Sequence, residues 1–116
     1  MTQLAEQTCI SCRGTEAALM PAEYEPLLTQ LHGWSVVDDH HLHKTCQFPD
    51  FLLGLAFVNA VGIIAEEQGH HPNLHLSWGS VEVTIWTHVI DGLTQADFIL
   101  AAKCDRVLSG NQRRDK

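Results

Sequence analysis

The chain has 116 residues, the length of one ordinary domain, with 45% hydrophobic and 18% charged residues. That balance describes a globular chain able to bury a core without covalent staples, and it excludes a disordered one. Fourteen Asp and Glu against seven Lys and Arg give a formal charge of −7, which argues against nucleic acid as the main ligand, because phosphate binding needs a basic face. The unusual count is eight histidines, spread from His32 to His88 rather than gathered at one end.

Residues 1–18 show no sustained period and read as an N-terminal arm. Met1 to Cys12 has neither the basic start nor the apolar run of a secretory signal. Cys9 and Cys12 form a CxxC pair in this arm, half of a zinc site or a redox pair in form. No second CxxC follows, so two exposed thiols is the plainer reading. A first helix is expected from Pro21 to His32, with Tyr24, Leu27, Leu28 and Leu31 on one face and Gly33 ending it. Trp34 to Val37 reads as a short strand, and Asp38-Asp39 as a turn. The next strand, Leu42 to Phe48, puts Leu42, Cys46 and Phe48 on one face and His41, His43, Thr45 and Gln47 on a solvated one, with Lys44 out of pattern.

A second helix spans Asp50 to about Gly69, with Asp50 as its N-cap. From Phe51 to Ala65 the only polar side chain is Asn59. The run is shorter than the roughly 20 residues of a membrane span, so it reads as a helix covered on more than one side, in part by another subunit. The expectation is no membrane contact and a cytoplasmic location, with reduced thiols. Asn73 to Ser77 and Val81 to His88 form a hairpin around Trp78-Gly79-Ser80. Thr94 caps a last helix reaching Ser109, Gly110 stops it, and residues 111–116 form a polar tail. The order predicts an α+β two-layer sandwich: a four-stranded antiparallel sheet with helices on one face, in a single domain over residues 19–110.

Glu66, His70, His71 and Pro72 sit at the end of the second helix. Glu66 and His70 are four apart, on one helical face, and Pro72 keeps the helix from continuing. His88 stands at the end of the following hairpin, so three imidazoles and a carboxylate converge at one sheet edge. Such a set suits general acid–base work, since imidazole titrates near working pH. It also suits zinc or iron, although HxxxH and HExxH spacings are absent. Helix-end histidines that merely meet the dipole are the plain alternative. Asp97 follows Thr94 by three, a capping-box spacing with a structural default. Trp78 and Trp86 are sheet aromatics or pocket walls.

The order Glu66, His70-His71-Pro72, Trp78, His88, Asp97, with its gaps and the WGSVEVTIWTH strand, resembles the signature of pterin-4a-carbinolamine dehydratases over Pro21 to Ser109. The resemblance implies dehydration of 4a-hydroxytetrahydropterins to quinonoid dihydropterins after aromatic amino acid hydroxylation, with no metal and no organic cofactor. It implies His70, His71 and His88 as catalytic residues and Glu66, Trp78 and Asp97 as substrate-binding ones. It also implies a homodimer or homotetramer. Gly69 and Ala96 depart from the family, whose members often carry Asp or Asn before the histidine pair and a basic or polar residue before the final Asp. Two rival readings share the same residues: a His-cluster metal enzyme, and a non-catalytic oligomeric binding or regulatory partner.

Overall fold

The structure, a computed structural model, describes residues 18–114, with side chains through Ser109; the Cys9–Cys12 pair lies outside them. In chain order the elements are α1 (Pro21–Leu28), β1 (Ser35–Val37), β2 (His41–Gln47), α2 (Phe51–Gln68), β3 (Asn73–Ser77), β4 (Ser80–Ile85) and α3 (Gln95–Arg114). The strands form one antiparallel sheet in the order β1-β2-β4-β3. This is the expected α+β sandwich, and the second hairpin joins the first through its return strand.

The register explains which face is covered. Leu42 pairs with Ile85, Lys44 with Val83 and Cys46 with Val81, so these side chains share one face. Apart from Lys44 they are buried against Phe57, Val61, Phe98 and Leu100 of α2 and α3. His41, His43, Thr45, Glu82 and Thr84 alternate with them and face away from the helices.

Lys44, the residue out of pattern, is a charge on the covered face. Its ammonium reaches Asp105 of α3 at 2.8 Å and the His32 carbonyl at 2.6 Å, and it lies 5.8 Å from the Trp34 ring centroid. Asp105 also accepts from Trp34 Nε1 at 2.8 Å and the His32 N–H at 3.0 Å. Both charges are nearly enclosed. Removing one would leave the other unpaired, at a cost of about 3–5 kcal/mol. The network fixes how α3 lies on β2.

α2 has the expected ends. Asp50 accepts from the Leu53 N–H at 2.9 Å, and Gly69 closes the helix in the left-handed region at φ 65°. Glycine adopts that region without a side-chain clash, and Asn and Asp tolerate it better than other side chains. Gly54, Phe57, Val61 and Ala65 form the buried stripe, and Gly54 lets the helix sit close, since a Cβ there would stand 3.0 Å from Leu76 Cδ1. The opposite side leaves Phe51, Leu52 and Ile63 exposed. By length and hydropathy alone α2 passes for a membrane span (18 residues, mean hydropathy 1.4), a weak signal that a core helix also gives. Its packed stripe nonetheless makes it the covering layer of this sheet.

Three boundaries differ from expectation by more than one residue. α1 ends at Leu28 rather than His32, because the chain tightens into three-residue turns: the Gln30 N–H donates to Leu27 and the Leu31 N–H to Leu28. β4 ends at Ile85, and Thr87 makes an isolated bridge to Gly92. α3 runs through Gly110 to Arg114; one glycine weakens a helix by about 1 kcal/mol without ending it.

The β1–β2 turn is held from outside. Asp38 and Asp39 are both left-handed, at φ 55° and 54°, the signature of a tight hairpin turn. Asp39 accepts a short hydrogen bond from the Tyr24 hydroxyl of α1, and the Tyr24 ring stacks on Phe98. The bond to Asp39, then burial, pushes the Tyr24 phenol from 10.0 up to about 12. Because the folded phenol holds its proton more tightly, the stabilisation is complete below pH 10 and is lost as pH climbs towards 12. Tyr24 is the only tyrosine, so ultraviolet titration reads it alone. The folded chain should ionise near pH 12, and Asp39→Asn should lower that midpoint. A wild-type midpoint at the ordinary value would show that the bond does not form.

Candidate active site

One carboxylate organises the end of the sheet where α2 finishes and α3 begins. Asp97, in the first turn of α3, is 0% exposed. Its Oδ2 accepts from the Thr94 N–H at 2.8 Å and the Thr87 hydroxyl at 2.9 Å, and its Oδ1 meets His70 Nε2 at 2.5 Å. The capping box expected from the Thr94–Asp97 spacing forms in one direction. Asp97 caps Thr94, while the Thr94 hydroxyl turns to Thr87 Oγ1 at 2.9 Å. The donor to Asp97 from His70 is Nε2–H, which sets the orientation of that ring. Sequence reasoning did not single out Thr87. Its signal was strand parity: counted from Ile85, position 87 points inward.

Adjacent histidines meet opposite surroundings. His70 is buried, whereas His71 is 63% exposed and donates from Nε2 to Glu66 Oε1 at 2.8 Å. The helical spacing paired Glu66 with His70. The structure pairs it with His71 instead, because α2 stops at Gln68 and left-handed Gly69 turns His70 inward, with its N–H on the Ala65 carbonyl at 3.1 Å. So exposed a contact adds little stability; its effect is to direct the His71 ring. Glu66 also borders a shallow groove of about 570 Å³ along α2, lined by Val58, Ile63 and Leu74 among others.

His88 sits in the loop that follows β4. The Thr87 carbonyl accepts from the Ile90 and Asp91 N–H groups, and the Thr87 N–H donates to Gly92 at 2.9 Å. The exposed His88 ring lies 4.4 Å, centroid to centroid, from that of Trp86. His41, expected on a solvated face, and His40 are half-buried and pack on Trp86 as well, at 6.0 and 5.3 Å. Burial, then the neighbouring His40, pushes the His41 imidazole below its ordinary value.

The predicted residues are therefore held in three sets: His70 with Asp97, His71 with Glu66, and His88 with Trp86. The first and third share the Thr87–Asp97 bond, since His88 follows Thr87 in the chain, and the first two share the backbone at positions 70–71. Trp78 is 70% exposed in the β3–β4 turn, at the opposite end of the hairpin. Asp97 makes its contacts with protein groups. Among the described residues, no three His, Cys, Asp or Glu side chains are grouped to hold a metal ion. Cys46 and Cys104 are free and buried, and burial pushes both thiols up.

Asp97→Ala would strand the His70 ring, the Thr87 hydroxyl and the Thr94 N–H at once. We expect it to lower stability by about 3 kcal/mol or more in urea denaturation, the scale for leaving several buried polar groups unpaired. A loss within about 0.5 kcal/mol, the range of ordinary surface changes, would show that the carboxylate does not hold this corner.

Residues 17–107 match the family model described as pterin 4 alpha carbinolamine dehydratase. A protein of Rubrobacter xylanophilus, provisionally named as pterin-4-alpha-carbinolamine dehydratase, is 50% identical over 92% of this chain and 100% of its own length. One of Alkaliphilus metalliredigens, named in the same provisional way, is 44% identical over 91% and 96%. The crystal structure of a transcriptional coactivator/pterin dehydratase from Brucella melitensis superposes with a TM-score of 0.74 at 30% identity, over 78% of this chain and 97% of that one. A pterin dehydratase-like protein identified as a RuBisCO assembly factor in the alpha-carboxysome superposes at 0.56 with 26% identity, over 66% and 89%. With the family model spanning most of the chain and relatives matched nearly end to end, the chain belongs to the pterin-4-alpha-carbinolamine dehydratase family.

Proposed function

We propose that this protein is a lyase that dehydrates 4a-hydroxytetrahydropterin to quinonoid dihydropterin, in pterin recycling for aromatic amino acid hydroxylation. The observation that carries the reading is the Asp97 network, which ties His70 and the His88 loop to one corner of the sheet. His70, His71 and His88 form the acid–base set. The C4a–O bond breaks as one imidazolium protonates the departing hydroxyl, which leaves as water. A neutral imidazole takes the N5 proton, and the N–H electron pair becomes the C4a=N5 bond. One proton is given and one taken, so the pair of imidazoles suffices.

Exposure divides the labour. His71 and His88 reach solvent and suit proton exchange with a bound ring, while buried His70 is fixed by Asp97. Asp97 enters this reading through His70 rather than through the ligand. Glu66 steadies His71 and can hold a pterin N–H. Trp78 has no part in it within a single chain. A non-catalytic role is the second reading, favoured by the likeness to the RuBisCO assembly factor. A dehydratase assay on the purified chain separates the two.

We expect His71→Ala and His88→Ala each to cut turnover by about 10²-fold, the low end for general acid–base catalysis. The double variant should lose far less than the product of the two, since both act on one transition state. His43→Ala, on the open face beside Glu82, should stay within about two-fold. A folded His88→Ala variant with full activity would remove His88 from the mechanism.

The proposal includes a homodimer or homotetramer that covers Phe51, Leu52 and Ile63. An apolar face left open on a helix this hydrophobic calls for a covering surface. Light scattering should give a multiple of the monomer mass, and Ile63→Asp should reduce it; a wild-type monomer at micromolar concentration would refute the assembly.

A further inference from the structure

We propose that Trp86 is a positioning residue for His88. The inference rests on the reading of His88 as an acid–base group and adds what aims its ring. Backbone hydrogen bonds fix the loop: Thr87 bridges Gly92, and the Thr87 carbonyl gathers the N–H groups of Ile90 and Asp91. Those bonds place the Cα of His88 and leave its side chain free to turn. The ring is exposed, and the side-chain contact that restrains it is Trp86, with centroids 4.4 Å apart and planes at 51°.

Trp86 is braced in turn. Ile85 points into the core, so Trp86 emerges on the open face of the sheet. There the His40 ring lies 5.3 Å away and the His41 ring 6.0 Å away. The two imidazoles are joined Nδ1 to Nδ1 at 3.0 Å, and His40 Nε2 reaches Asp91 Oδ1 at 2.7 Å, on the loop that carries His88. The indole is thus enclosed by the β1–β2 turn on one side and the His88 loop on the other. The Asp91 bond is too exposed to hold the loop by itself; the packed rings supply the restraint. An indole is rigid and offers a broad apolar face at small entropic cost, so it narrows the rotation of His88 without taking a proton from it.

The test combines spectroscopy and kinetics. An imidazole beside an indole face feels its ring current, so the His88 ring protons, identified as the signals lost in His88→Ala, should be displaced upfield in wild type. Trp86→Ala should return them to ordinary positions. It should also lower kcat about ten-fold with KM nearly unchanged, since small misplacements of a catalytic group cost up to about 10²-fold. Trp86→Phe should restore most of kcat, and Trp86→Leu replaces the alanine variant if the latter does not fold. His88 signals that do not move in Trp86→Ala, or signals that move with kcat unchanged, would overturn the positioning role. A wild-type chain inactive in dehydration, with His88 signals that still move in Trp86→Ala, would count against the functional reading and leave the packing of His88 on Trp86 established.

Discussion

A carboxylate with no exposure to water must find all of its partners inside the protein, and Asp97 draws them from three places. The end of α2 contributes His70, the exit of β4 contributes Thr87, and the start of α3 contributes its own capping N–H. The exit of β4 and the start of α3 are joined by a short loop, whereas the end of α2 reaches them only across the β3–β4 hairpin. Burying this carboxylate is therefore tolerated only when α2, β4 and α3 have all docked and supply its partners, which makes this corner cooperative. The same requirement fixes His70 and the base of the His88 loop relative to each other, so fold and candidate site rest on one set of bonds.

The sheet supplies the rest of the geometry. Because β2 pairs with β4 rather than with β3, the β1–β2 turn and the His88 loop meet at the same end. That pairing brings His40 to Asp91 and both His40 and His41 to Trp86. At the side, Lys44 and Asp105 lock α3 to β2 through the Trp34 indole and the His32 backbone. Two enclosed acidic residues on one helix, Asp97 and Asp105, thus set its position against the sheet at two points.

Much of this was legible in the sequence. The cap at Asp50, the glycine stop at Gly69 and the alternation in the second hairpin are local signals, and each formed where expected. What escaped notice depends on partners distant in the chain. Lys44 looked like an error in a strand pattern because Asp105 is far along the sequence. Glu66 was paired with His70 by helical spacing, and the left-handed residue between them gave it to His71. The partial burial of His41 on Trp86 is hidden in the sequence because the register joining β2 to β4 cannot be seen from either strand alone. The end of β4 was misjudged because Trp86 and His88 continue the alternation after the ladder has stopped.

The left-handed turn at Gly69 also bears on how this site can change over generations. It sends two chemically identical neighbours into different worlds, one into the protein and one into water. The pair is thus no duplicate, and neither histidine can stand in for the other. Deleting or inserting a single residue between Gly69 and Pro72 would exchange the inner and outer positions or empty one of them. A change of length here would draw His70 away from the carboxylate waiting at Asp97, whereas a substitution leaves that spacing intact.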